Sequence, residues 1–179
     1  MSLLRRLADR ILRLFGQGGQ PVPREPVSLP PIAVVRNAVF DPKPDGWEDV
    51  KSDLIFRDDL LDALEGIDSY SHIIVVFSCH RVPDDAKTQT FVTGDASLPQ
   101  QGILASRSQL RPNSVGVAVV QLLRRRKNIV RVLGLDAIDG TPIVDIKPYL
   151  PAYDSVPEAT VPEWVSRAMQ DAPNKDTSP

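Results

Sequence analysis

Short apolar runs separated by turns rich in proline and glycine dominate residues 31–155. Runs of this length with many β-branched residues are typical of strands. The run His72–Cys79 is so continuously apolar that we predict a strand buried on both faces. Further strands are predicted at Ile32–Val35, Ser52–Phe56, Ile103–Ser106 and Ile143–Ile146, and a hairpin at Val115–Leu123 and Asn128–Leu135. Many short strands and few helices favour a β-rich barrel or sandwich.

The other segments are expected to be short helices and loops. Asp58–Gly66 predicts a short helix that Asp58 caps and Gly66 ends. Val82–Gln101 is polar and predicts a long loop, and long loops in compact domains are usually functional or disordered. Four adjacent cations, Arg124–Lys127, are placed at the hairpin tip, where they either contact phosphates or are simply solvated.

The chain begins with a different pattern. Within residues 1–16, Leu3, Leu7, Ile11 and Leu14 recur at helical spacing, and arginines occupy the remaining face. The segment is too short and too charged to span a membrane and lacks a signal-peptide core. Such a helix can lie on a membrane surface, but we favour packing on the core or on a partner chain. A proline-rich linker, 17–30, leads to the folded domain at 31–155, and 156–179 is expected to hold a brief helix around Pro162–Met169 and a disordered tail.

Composition narrows the functional classes. The net charge of −2 gives no global basic field for nucleic acid, although a local patch would suffice. Cys79 is the only cysteine, which excludes an internal disulfide and favours a reduced, cytoplasmic setting. With two isolated histidines, the sequence supports no metal site. Glycine-rich nucleotide-binding signatures and the common hydrolase motifs are also missing from the sequence.

Charged residues concentrate between Gly102 and Tyr149, at the ends of the apolar runs. Loops at strand ends can aim such side chains at a ligand, although Arg-Pro-Asn and Asp-Gly-Thr-Pro are also ordinary turn sequences. His80 and Arg81 likewise follow directly after a predicted strand. The pattern therefore favours a ligand site built on loops.

Three ordered segments resemble the YaeB-like (TrmO/TsaA) family. They are Asp68–Val75, Gly102–Gly116 and Asp136–Tyr149, and the resemblance extends over roughly residues 28–165. It implies a small, mainly β, barrel-like domain that binds S-adenosylmethionine and works as a homodimer. Characterised members methylate the exocyclic nitrogen of threonylcarbamoyl-adenosine next to the tRNA anticodon.

The resemblance also implies a set of cofactor-binding positions. They are His80, Arg81, Arg107, Val117, Asp136, Ala137, Ile138 and Asp139. An arginine fork suits the carboxylate of S-adenosylmethionine, aspartates suit its amino and ribose groups, and apolar residues suit its adenine. Arg111, Asn113 and Lys147 are expected to brace the loops, with a salt bridge to Asp145 as one way for a cation to do so.

The catalytic group and the substrate stay open at this stage. An exocyclic adenine nitrogen becomes a better nucleophile when its proton is removed, and Asp139 and His80 are both candidates for that base. The segment Gly102–Gly116 has Leu104, Ser106, Gln109 and Ser114 where the family usually has Phe, Thr, Pro and Pro. Three functions therefore remain: a methyltransferase for tRNA, a methyltransferase for a smaller adenosine-like substrate, or a dimeric module that only binds the cofactor.

Overall fold

A computed structural model describes residues 26–83, 87–91 and 99–170. Six antiparallel strands form a closed barrel, in the spatial order β1–β2–β7–β6–β3–β8. Two further strands, β4 and β5, form a separate two-stranded sheet, and two helices, α1 and α2, follow the barrel. The strands are β1 (Ala33–Arg36), β2 (Lys51–Phe56), β3 (His72–Ser78), β4 (Gln89–Phe91), β5 (Gln100–Gly102), β6 (Val115–Arg126), β7 (Ile129–Leu133) and β8 (Pro142–Pro148), and the helices are α1 (Pro151–Asp154) and α2 (Glu163–Gln170). The mainly β barrel that the sequence predicts is confirmed.

Alternating side chains fill the barrel interior. In β2, Ser52, Leu54 and Phe56 point inward and are buried, while their neighbours face outward. The same alternation holds in β3, where Ile73, Val75 and Phe77 are buried and the residues between them are only half-covered. The expectation that β3 is buried on both faces is therefore wrong, because the outer face of β3 meets no second layer formed by the described residues.

The segment 58–70 closes one end of the barrel with three successive 3-10 turns, at Asp58–Leu60, Asp62–Leu64 and Ile67–Ser69. Leu64 and Ile67 from these turns join the barrel core. Gly66 breaks the segment by adopting a left-handed conformation with φ of 82°, which suits glycine. The predicted single helix with an Asp58 cap is wrong, since no side chain caps the first turn.

Two further sequence predictions, for residues 82–101 and for Ile103–Ser106, are corrected. The polar segment 82–101 contains β4 and the start of β5, which pair through Gln89–Gly102 and Phe91–Gln100. Ile103–Ala105 forms a 3-10 turn and not a strand, with the Ser106 N–H donating to the Ile103 carbonyl. Short polar strands that pair only with each other lack the apolar alternation on which sequence-based assignment rests.

The hairpin β6–β7 is confirmed, but its turn is shorter than predicted. β6 continues through Arg126, so that the turn consists of Lys127 and Asn128, with Lys127 in a left-handed conformation at φ of 52°. The three arginines before it therefore lie within the strand. Cross-strand pairing with β7 outweighs their polar character.

The N-terminal helix expected at 1–16, residues 17–25 of the linker and the tail after residue 170 lie outside the described residues. Within the described residues, no helix is both long enough and apolar enough to cross a membrane.

Candidate functional site

A cavity of about 390 Å³ lies at the barrel end opposite the 3-10 turns. At this end, called the site end, β1, β3 and β7 finish and β2, β6 and β8 begin. Loops that follow three different strands supply its walls, and they meet only because the barrel closes. The lining residues include Pro42, Lys43, Pro44, Trp47, Phe77, Cys79, His80, Arg81, Gln109, Asp136, Ala137, Ile138 and Thr141.

Five of the eight predicted cofactor residues line this cavity: His80, Arg81, Asp136, Ala137 and Ile138. Ala137 and Ile138 are buried and form its apolar floor, whereas the three charged or polar residues are exposed. Arg81 donates a hydrogen bond of 2.8 Å from Nη1 to the Phe40 carbonyl. Asp136 and His80 make no side-chain hydrogen bond with a described residue, which leaves both groups free for a ligand.

Asn37 holds the loop that carries Asp136, Ala137 and Ile138. Its amide nitrogen donates to the Ala137 carbonyl at 2.8 Å and to the Ser52 hydroxyl at 2.9 Å. Its side-chain oxygen accepts the Val39 N–H at 2.9 Å. Ser52 is fully buried, so these three hydrogen bonds, called the Asn37 clamp, tie the 136–139 loop to the barrel interior. Sequence reasoning missed Asn37, because its partners are distant in sequence.

Asp139 faces away from the cavity and toward β1. Its carboxylate accepts the main-chain N–H of Asn37 at 3.1 Å and lies 3.3 Å from Nη1 of Arg36. Its own N–H donates to the Val39 carbonyl at 2.7 Å. These contacts make Asp139 a brace between the 136–139 loop and the segment after β1.

Arg107 and Val117 lie together on a different surface. Nη2 of Arg107 donates to the Val117 carbonyl at 3.2 Å, and neither residue lines the cavity. Val117 belongs to an outward-facing row of β6 with Val115 and Val119, whose side chains are 43–52% exposed. Leu104 in the neighbouring turn is 76% exposed. Among the described residues, this part of the barrel presents an exposed apolar face beside an arginine.

Two of the three expected braces have the partners of a brace. The Arg111 side chain donates to the main-chain carbonyls of Ser108, at 2.9 Å, and Ser106. Lys147 forms a 2.7 Å salt bridge with Asp145, and that carboxylate raises the pKa of Lys147. Arg111 thus holds residues 106–111 in a compact loop and does not bind Asp145. Asn113 is exposed and contributes its main-chain carbonyl to the Val115 N–H.

Residues that the sequence analysis did not assign to the site also line the cavity. Trp47 forms part of one wall, and its indole N–H donates to the Lys43 carbonyl at 3.1 Å. The Lys43 ammonium lies 5.0 Å from the centre of the Trp47 ring. A tryptophan in a Pro-rich loop between strands was the available signal, because exposed loop aromatics commonly contact ligands.

Cys79 also faces the cavity, and its thiol is held in the neutral form. Burial raises its pKa, and the Asp136 carboxylate raises it further, whereas Arg111 acts in the opposite direction. A neutral thiol is a poor nucleophile, so Cys79 is suited to packing and not to covalent chemistry.

The cavity combines apolar walls with a small set of polar groups, which is the usual composition of a small-molecule site. An aromatic ring and apolar side chains can hold a planar base, a free carboxylate can accept from amino or hydroxyl groups, and Arg81 can bind an anionic group. Among the described residues, no group of three or more His, Cys, Asp or Glu side chains could hold a metal ion. The arrangement therefore suits an organic ligand with both a flat ring and charged ends.

The chain is similar to several known proteins. A family model described as tRNA-methyltransferase O N-terminal domain matches residues 40–155. An S-adenosyl-L-methionine-binding protein of Archaeoglobus fulgidus is 33% identical over 132 residues, covering 72% of this chain and 93% of that protein. The tRNA (adenine(37)-N6)-methyltransferase of Escherichia coli is 36% identical over 107 residues, covering 55% of this chain and 44% of the enzyme.

The crystal structure of TrmO from Pseudomonas aeruginosa has a similar fold. It superimposes with a TM-score of 0.59 at 31% identity, over 76% of this chain and 62% of that structure. The chain thus spans nearly the whole archaeal protein but less than half of the E. coli methyltransferase.

Proposed function

Because the chain belongs to the family of tRNA-methyltransferase O N-terminal domains, we propose that it is a methyltransferase that uses S-adenosylmethionine. Its proposed acceptor is the exocyclic nitrogen of an adenosine in tRNA, as the name of its E. coli relative states for that enzyme. The observation that carries the proposal is the cavity at the site end, in which five predicted cofactor residues converge. A reduced, cytoplasmic location belongs to the same proposal.

The residues of the cavity fit the chemical groups of S-adenosylmethionine. Asp136, whose carboxylate is not bonded to a described side chain, can accept from the ribose hydroxyls or the amino group. Ala137, Ile138 and Trp47 supply apolar and aromatic surface for the adenine. Arg81 supplies a cation at the rim for the carboxylate. When bound, S-adenosylmethionine supplies an electrophilic methyl group on a sulfonium with a good leaving group.

The protein's own task is then to orient the acceptor nitrogen, exclude water and remove a proton. Of the two candidate bases, His80 lines the cavity, whereas the Asp139 carboxylate is engaged by Arg36 and the Asn37 N–H. We therefore assign proton removal to His80 and structural support to Asp139. The assignment follows from position, because His80 lines the cavity whereas the Asp139 carboxylate is engaged outside it.

A homodimer is the second part of the proposal. Arg107 and Val117, which the family resemblance implicates in cofactor binding, lie on the apolar face of β6 and outside the cavity of their own chain. We propose that a second copy covers Val115, Val117 and Val119 and that Arg107 of one chain completes the cofactor site of the other. Burial of this exposed apolar surface would also stabilise the pair.

Calorimetry with S-adenosylmethionine tests the site. Asp136→Asn and Arg107→Ala should each weaken binding by about 1.5–3 kcal/mol, the range for a charge-assisted hydrogen bond. Arg57→Ala is the control, since Arg57 pairs with Asp59 at the opposite end of the barrel. Unchanged affinity in Asp136→Asn would refute the cavity as the cofactor site.

Light scattering tests the dimer. A mass of twice 19.7 kDa at micromolar concentration is expected, with and without cofactor. If only monomer is found while Arg107→Ala still weakens binding, Arg107 acts within its own chain and the paired site is wrong.

The alternative function is a module that binds S-adenosylmethionine without transferring its methyl group. The name of the archaeal relative, of which this chain covers 93%, favours it. Mass spectrometry of nucleosides after incubation with unmodified tRNA separates the two functions. Methylated adenosine that depends on His80 supports the enzyme, and tight binding without turnover supports the module.

A further inference from the structure

The outer surface of four neighbouring strands carries a row of charged residues in register. Arg36 of β1 pairs with Asp53 of β2, Asp53 pairs with Arg131 of β7, and Arg131 pairs with Arg124 of β6. All four side chains point outward, because Val35, Leu54, Val130 and Val132 beside them fill the interior. Neighbouring strands lie about 4.8 Å apart, so the row spans roughly 14 Å.

Two more cations extend this row along the strands. Lys51 precedes Asp53 by two residues on β2, and Arg126 follows Arg124 by two residues on β6. Residues two apart in a strand point to the same face, so both belong to the same outer surface. We call the set Arg36, Lys51, Arg124, Arg126 and Arg131 the cationic wall.

One internal salt bridge organises the wall. Nε and Nη2 of Arg131 donate to the two carboxylate oxygens of Asp53, each at 2.6 Å. This bidentate pair fixes the guanidinium plane of Arg131, and it also lowers the pKa of Asp53, with a smaller contribution from Arg124. The groove beside the pair has a volume of about 190 Å³ and is lined by Asp53, Arg124, Arg126, Ile129 and Arg131.

Three of the other four cations of the wall have no salt-bridge partner among the described residues. Lys51, Arg124 and Arg126 form no salt bridge and no side-chain hydrogen bond with any residue that the structure describes. By contrast, the neighbouring Arg125 donates to the Leu61 and Lys127 carbonyls and is tied to the barrel. Adjacent cations repel each other, so an anionic ligand that binds between Arg124 and Arg126 would relieve this repulsion.

The wall reaches the barrel end that holds the cavity. Arg36 at its first strand contacts the Asp139 carboxylate at 3.3 Å, and Asp139 follows directly after the cavity residues Ala137 and Ile138. Lys51 also lies at the site end, because the N–H of Gly134 donates to the carbonyl of the preceding Val50. A chain molecule that reaches the cavity from this side would therefore run across the wall.

We propose that the cationic wall binds the phosphate backbone of the RNA whose base enters the cavity. The proposal rests on the proposed function and names the surface by which its substrate is held. A polyanion fits the observations because its regularly spaced phosphates match separate cations on adjacent strands. It also accounts for a local cluster of arginines in a chain whose overall charge is −2. An anionic membrane is less well matched, since the groove between the arginines presents only one partly buried apolar side chain, Ile129.

Phosphate contacts have a distinctive signature in the salt dependence of binding. Each neutralised phosphate contributes about 0.7–0.9 to the slope of log affinity against log salt. Replacing Arg124 and Arg126 by Gln should therefore lower the slope by about 1.4–1.8 and weaken binding at physiological salt on the order of tenfold or more. The loss should be equal for any RNA sequence, because phosphates carry no base identity.

The experiment measures fluorescence anisotropy of a labelled tRNA anticodon stem–loop and of a scrambled hairpin from 50 mM to 400 mM salt, a range of roughly eightfold that resolves such slopes. The full chain is compared with Arg124→Gln/Arg126→Gln, with Arg124→Lys/Arg126→Lys, and with Lys147→Gln. Lys147 is an exposed cation on β8, which lies across the barrel from β7. Thermal unfolding confirms that each variant folds, and calorimetry with S-adenosylmethionine is run in parallel.

A lower slope for both hairpins in the Gln variant, with recovery in the Lys variant and no change in Lys147→Gln, supports the wall. An unchanged slope in the Gln variant overturns the wall while leaving the methyltransferase proposal intact. If the Gln variant has a lower slope but the full chain binds no S-adenosylmethionine, the result supports the wall and refutes the proposed function. Loss of binding to phosphatidylserine vesicles without loss of RNA binding overturns the proposal in favour of a membrane surface.

Discussion

Replacing Asn37 by Ala should weaken both the barrel and the cavity. The change removes the hydrogen bonds to the Ala137 carbonyl, the Ser52 hydroxyl and the Val39 N–H. Each such bond contributes about 0.5–1.5 kcal/mol, so the loss amounts to roughly 2–4 kcal/mol. The upper part of the range applies if the fully buried Ser52 hydroxyl finds no new partner.

Urea unfolding measures the first effect, and calorimetry with S-adenosylmethionine measures the second. Because Ala137 and Ile138 form the cavity floor, loss of the clamp should reduce affinity at least tenfold, or about 1.4 kcal/mol. The decrease in binding should exceed what partial unfolding explains, since most of the variant stays folded at low temperature.

Asn128→Ala provides the matched control. Its amide nitrogen also donates two hydrogen bonds of 2.9 Å, to the Phe56 carbonyl and the Asp58 carboxylate, but at the opposite end of the barrel. This variant should lose about 1–3 kcal/mol of stability and keep its cofactor affinity. If Asn37→Ala is destabilised and yet binds S-adenosylmethionine like the unmodified chain, the clamp does not shape the site and the reasoning fails.

Two further predictions concern the barrel itself. Gly116→Ala should cost about 1–3 kcal/mol of stability and lower cofactor affinity, because a Cβ there would overlap the Phe77 ring that lines the cavity. Gly102→Ala is the control, since a Cβ at that position meets open space. Equal urea midpoints for the two variants would contradict this prediction. The pKa of Asp53 lies below its ordinary 3.8 because of the hydrogen bond from Arg131. The Asp53–Arg131 pair therefore contributes its full stabilisation above that pH, and this contribution is lost as the pH falls through the folded-state pKa. Acid unfolding of Asp53→Asn should therefore be shallower than that of the unmodified chain, and identical acid limbs would show that the pair contributes nothing.

The strands of the barrel could be predicted from the sequence because each depends on a local pattern. Ser52–Phe56 alternates and His72–Cys79 is apolar throughout, so both were recognisable without knowledge of their neighbours. The loops that carry His80, Arg81 and Asp136 were likewise found from charged residues at strand ends and from family signatures. The same reasoning failed at Gln89–Phe91 and Ile103–Ala105, where pairing and turn geometry carry no apolar period.

Only the tertiary structure decided which of those loops form one site. Asn37 reaches Ala137 across one hundred positions of sequence, because β2 pairs with both β1 and β7 and so brings their ends together. Val117 lies outside the cavity because side chains alternate along β6 and its odd-numbered valines face outward, and Arg107 bonds to the Val117 carbonyl on that outer side. Strand register likewise aligns Arg36, Arg131 and Arg124, which no local pattern connects. Local sequence thus determines each strand, whereas the pairing of distant strands determines which side chains meet.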